Sequence, residues 1–84
     1  MKLAPLTFRL NIIELCEREA SSDDIVEYIR KSTMFVKRTP TNLEILASEL
    51  RAAGRIYGMY LDNKEEFYKL KEYLLNEEDK YNGN

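Results

Sequence analysis

Apolar residues recur with helical spacing most clearly over residues 41–61, TNLEILASELRAAGRIYGMYL. At about 100° per residue, Leu43, Leu46, Leu50, Tyr57 and Leu61 share one stripe, with Ala47 and Ala53 at its edges. Ile45, Ala52, Ile56 and Met59 form a second apolar face roughly opposite, and Glu44, Ser48, Arg51, Arg55 and Asp62 fill a narrow polar strip. A surface helix needs one apolar face, whereas a helix apolar on two is usually buried on both. The pattern therefore predicts a central helix. Its leucine face is packed by its own chain, and its second face by the same chain or by a partner. Two starts fit: Thr41 with Glu44 as a capping box, or Thr39 as the cap with Pro40 in the first turn. Gly54 and Gly58 fall inside the pattern, each weakening a helix by roughly 1 kcal/mol relative to Ala. With Ala47 they make a smooth edge that a second helix backbone can approach, either within the domain or across a dimer seam.

The same spacing places three more helices. Residues 6–20 put Leu6, Leu10, Ile13 and Cys16 on one face, with Pro5 in the first turn. Leu6, Phe8, Leu10 and Ile12 also alternate with the period of a strand, but Ile13, Leu15 and Cys16 break that alternation and Glu14, Glu17 and Glu19 favour helix. Ser21–Asp24 stops one helix and caps the next, over about 23–33, with Ile25, Val26, Tyr28 and Ile29 facing inward. Asn63 with Glu66 fits a capping box before a last helix over about 64–79, carrying Phe67, Leu70 and Leu74 on one stripe. The expected fold is all-α, a small four-helix single domain over 1–84, with a loose lead (1–5), a loose tail (80–84) and antiparallel neighbours. Met34, Phe35 and Val36 form an apolar run in the longest linker. It reads as a buried loop or helix end, or else as a short strand or a docking hook.

Size and composition sharpen this. At 84 residues the chain is one domain, and a domain of that size buries only about 60–65% of its unfolded surface. One cysteine and no histidine leave it without an intrachain disulfide or the commonest metal ligand. A lone thiol suits the reducing cytoplasm. No apolar run approaches the ~18 residues of a membrane span.

Chemistry is sparse. Without histidine no base stands ready to activate Ser or Cys, and the pairs Asp23, Asp24 and Glu65, Glu66 sit at helix starts, where capping explains them. Neither a calcium loop nor a phosphate-binding glycine loop is present, so no catalytic residue, metal or cofactor is expected. The net charge of −2 argues against strong general affinity for nucleic acid. A local basic group remains: Arg30, Lys31, Lys37 and Arg38 without an intervening acid, and Arg51 and Arg55 one turn apart. Residues 22–31 and 41–55 resemble a helix-turn-helix only loosely, because the linker exceeds the usual three or four residues and lacks the turn glycine. Six tyrosines offer large apolar bodies with polar tips.

The expected function is therefore non-enzymatic. A small cytoplasmic interaction or regulatory protein, an adaptor or inhibitor, would bind a protein partner or a second copy of itself through Ile56, Met59, Tyr60, Met34 and Phe35. Its size and composition are those of small regulators carried by phages and plasmids. The alternative is a DNA-binding regulator with a divergent helix-turn-helix, contacting phosphates through Arg30, Lys31, Lys37, Arg38, Arg51 and Arg55.

Overall fold

The computed structural model describes residues 4–81. They form α1 (Pro5–Glu17), α2 (Ser22–Thr33), α3 (Pro40–Asp62) and α4 (Lys64–Tyr81), with no strand among the described residues. This is the all-α four-helix fold that the apolar periodicity predicts. Of the expected lead and tail, Ala4 caps α1 and Pro5 opens it, while Lys80 and Tyr81 belong to α4. Residues 1–3 and 82–84 lie outside the described part.

Local chemistry sets the boundaries. α1 stops at Glu17, earlier than residue 20. The Glu19 N–H bonds back to the Cys16 carbonyl and the Ala20 N–H to the Leu15 carbonyl, each at 3.0 Å. That is the hydrogen-bond pattern of a Schellman cap, with Glu19 at φ 59° in the left-handed position that glycine usually takes. Glu19→Gly should therefore raise stability by about 1 kcal/mol, read as a shift of the urea midpoint. α2 starts with a full capping box. Ser21 Oγ accepts the Asp24 N–H at 3.2 Å, and Asp24 Oδ2 accepts the Ser21 N–H at 3.4 Å.

α3 begins with Thr39 as its cap, not Thr41. Thr39 Oγ1 accepts the Asn42 N–H at 3.2 Å, and Pro40 occupies the first turn, where its missing N–H has no cost. One residue, Asn63, both ends α3 and begins α4. Its N–H bonds to the Met59 carbonyl at 2.7 Å, and its Oδ1 accepts the Glu66 N–H at 3.3 Å. Because that N–H is already engaged, the expected reciprocal box with Glu66 is half formed.

The helix expected to be central is not the hub. α1 is: Phe8, Ile12, Ile13 and Cys16 are all buried on it, and it packs against α2, α3 and α4. Side-chain pairs give the directions. Arg9 meets Glu49 on α3, and the charge of Glu19 is felt at Tyr60, so α1 and α3 run the same way. Lys71 pairs with Glu17 at 2.8 Å, while Tyr73, Leu74, Glu77 and Glu78 line a cleft with Pro5, Leu6 and Arg9, so α4 runs back along α1. α2 folds back onto α1, with Asn11 Nδ2 donating to Tyr28 Oη at 2.9 Å and the Phe8 and Tyr28 rings stacked at 5.7 Å. The Cα envelope is 36 × 36 × 18 Å, a slab rather than a column. Its radius of gyration, 13.0 Å, exceeds the roughly 12 Å of a compact globule of this length. A slab leaves more helix surface uncovered than a bundle does.

Cys16 lies fully inside the core. Burial raises its thiol above the ordinary range, and the charge of Glu17 adds to the shift. Thiolate, the reactive form, is therefore scarce at neutral pH. Native protein should react with a disulfide reagent at pH 7.5 far more slowly than protein in denaturing urea; equal rates would place the thiol at the surface.

Candidate protein-binding face

The buried arc of α3 runs through Leu46, Glu49, Ala53 and Ile56, at spacings of three and four residues. It passes between the two apolar faces read from sequence and takes one residue from the flank of each. Leu46 comes from the leucine stripe and Ile56 from the second face. The middle of the arc holds a charge. Glu49 is 3% exposed, and its carboxylate takes both guanidinium N–H groups of Arg9, at 2.6 and 2.7 Å. That hydrogen bond holds the Arg9 guanidinium above its already high range, outweighing the lowering effect of burial. The pair allows a polar residue to sit where a hydrophobic one is expected.

Rotating the buried arc this way turns the leucine stripe outward. Leu43 and Leu50 are each 49% exposed and Leu61 is 57% exposed, while Leu46 is buried and Tyr57 half-buried. The expectation that the chain packs its own leucine face therefore fails for three of the five residues. Beside them the helix is smooth. Among the described residues a Cβ built on Gly54 or Gly58 meets nothing within 4 Å, so neither glycine is there to admit another part of the described chain. Of the two readings of that smooth edge, close packing within the domain is not found among the described residues.

The partner-facing residues expected from sequence separate into three groups. Ile56 is 1% exposed and belongs to the core, so it presents no surface to a partner. On the rest of that second apolar face Ile45 is exposed, and Ala52 and Met59 border a cleft toward α4. Met59 and Tyr60 are partly buried against the same core, and Tyr60 packs edge-on against Phe67 at 5.4 Å. Met34 and Phe35 are exposed, Phe35 at 68%, whereas Val36 is buried and anchors the linker. Val26, expected inside, is exposed on α2. Leu43, Leu50 and Leu61 were assigned to the interior on sequence grounds and so were missed as surface. No local signal could have found them: Glu49 reads as a surface residue, and only its pairing with Arg9, forty positions away, turns it inward and shifts the inner face.

The basic residues divide as well. Arg30 is held by Glu27 at 2.7 and 3.1 Å, with Lys31 at 3.9 Å from the same carboxylate. The Arg30 hydrogen bond pulls the Glu27 carboxyl below its ordinary range. Lys37, Arg38, Arg51 and Arg55 have no carboxylate within 4.0 Å among the described residues. Arg55 borders a cleft of about 320 Å³ with Met59, Leu70 and Glu66, but Glu66 bonds Lys69 at 3.5 Å. α2 packs mainly on α1, and a six-residue linker (34–39) separates it from α3, so the pair does not form a tight helix-turn-helix.

Among the described residues no helix is long and apolar enough to cross a membrane. No protein-family model, curated protein or solved structure matches the chain. The face described above is thus read from its own geometry alone.

Proposed function

We propose that this chain is a non-enzymatic protein-binding domain, acting as an adaptor or inhibitor through the outer face of α3. One observation carries the reading. Three half-exposed leucines line one side of a helix whose glycines open onto empty space. Exposed leucines at i, i+7 and i+18 lie on one side of the helix, with half-buried Tyr57 between the last two, and exposed apolar surface on one face marks interaction sites. Helix glycine costs roughly 1 kcal/mol relative to Ala, and no contact at Gly54 or Gly58 among the described residues requires it. The test is affinity capture from source-cell lysate by wild-type protein and by Leu43→Glu/Leu50→Glu. The double variant should keep its helical circular dichroism and lose the captured protein. Retention by the variant would remove this face from the function.

A second reading, DNA binding, rests on Lys37, Arg38, Arg51 and Arg55, which have no carboxylate within 4.0 Å among the described residues. It calls for a gel shift with duplex DNA that weakens between 50 and 200 mM salt, on the order of 10²-fold for about four phosphate contacts.

A further inference from the structure

We infer, building on the protein-binding reading above, that the partner contributes an amphipathic helix with an acidic centre, laid along the groove on the outer face of α3. The groove follows from helix geometry. At about 100° per residue, Ala47, Gly54 and Gly58 form its floor. Leu43, Leu50 and Leu61 form one wall, and the exposed residues Glu44, Arg51, Arg55 and Asp62 form the other. The floor from Ala47 to Gly58 spans roughly 17 Å, three helical turns. With no side chain on Gly54 or Gly58 in contact with anything, a helix can lie closer there than the usual 8–10 Å between axes.

The two walls differ in chemistry, and this selects the occupant. An occupant must be apolar toward the leucines. Toward the other wall it must be acidic over its middle, opposite Arg51 and Arg55, and basic toward its ends, opposite Glu44 and Asp62. Neither arginine has a carboxylate within 4.0 Å among the described residues, so both charges are free to pair.

With its floor centred on this one, a second copy of this chain meets that requirement in neither symmetric arrangement. A two-fold axis perpendicular to α3 at the floor's centre sets charged wall against charged wall. The arginine pairs of the two copies then converge on the axis, and Glu44 of each copy meets Asp62 of the other. Every facing pair is of like sign, which is destabilising. A two-fold axis parallel to α3 sets the leucine wall of one copy against the charged wall of the other and wastes both. A different protein, carrying acids where this chain carries Arg51 and Arg55, satisfies both walls at once.

The probes are three labelled helical peptides sharing one leucine stripe, flanked centrally by glutamate, glutamine or lysine. They are titrated by fluorescence anisotropy at 50 mM salt, with a labelled 20-base-pair duplex alongside. Wild-type protein should hold the glutamate peptide roughly tenfold more tightly than the glutamine peptide, the worth of two or three surface ion pairs. Arg51→Glu/Arg55→Glu should reverse the order and prefer the lysine peptide. That reversal also shows that the variant is folded. Equal affinity for all three peptides overturns the acidic partner. So does a sedimentation mass of two chains with no peptide bound, which assigns the face to a second copy, or binding of the duplex alone. In the first two of these outcomes lysate capture through Leu43 and Leu50 still stands or falls separately, so the two readings fail independently.

Discussion

Replacing Arg9 with methionine should cost about 3 kcal/mol of folding stability, the low end for stranding one member of a buried ion pair because Arg9 itself is partly exposed. The change leaves the alkyl stem roughly in place and removes only the guanidinium. Glu49 then sits in the core with its carboxylate uncompensated. For a domain of 84 residues, whose whole stability is about 4–13 kcal/mol, such a loss is large. The double variant Arg9→Met/Glu49→Leu removes both charges and should recover most of the loss, because buried pairs replaced by packed hydrophobic residues are often neutral or stabilising. Urea titration followed by circular dichroism on both single variants and the double variant closes the cycle. A strong coupling between the sites is expected; additive losses would mean that the pair contributes nothing as a pair.

Phe67→Ala should be the other severe change, at about 3–5 kcal/mol. Phe67 is fully buried, and its ring meets Tyr60 edge-on at 5.4 Å and Tyr68 at 5.2 Å. Truncation removes the transfer energy of the ring and both aromatic contacts, and leaves a cavity where α3 turns into α4. Phe67→Leu keeps most of the volume and should cost under about 1.5 kcal/mol. If both variants were equally mild, the α3–α4 corner would be dispensable to the core. Thermal or urea melts distinguish these outcomes directly.

Much of the fold was legible because four segments carry helical periodicity and their ends carry cap residues. Ser21, Asp24, Thr39, Pro40 and Asn63 all act in the structure as their chemistry suggests. The orientation of α3 was not legible, and the reason is a single long-range pair. Hydropathy ranks Glu49 as an outside residue; only Arg9, forty positions away, makes it an inside one. With that position miscounted, one buried arc flanked by apolar residues reads as two apolar faces with a central role. The hub was hidden for a related reason. α1 is apolar on several sides, so its stripe is weakly defined, yet that is what a helix touching three others requires. Of the residues expected at an interface, Met34 and Phe35 lie exposed, whereas Ile56 lies in the core. The leucines that face solvent were assigned to the core by their residue type alone.

The glycines of α3 separate fold from function most sharply, since residues kept for folding and residues kept for a partner respond oppositely to being filled. The decisive measurement is therefore the melting temperature of Gly54→Leu together with its affinity for the glutamate-flanked peptide. A leucine there faces open space and is the better helix former, so the melting temperature should rise by about 4–8 °C. The same side chain stands on the groove floor, so peptide binding should be lost. A lower melting temperature, or a peptide held as tightly as by wild type, would contradict an α3 face built to receive a helix.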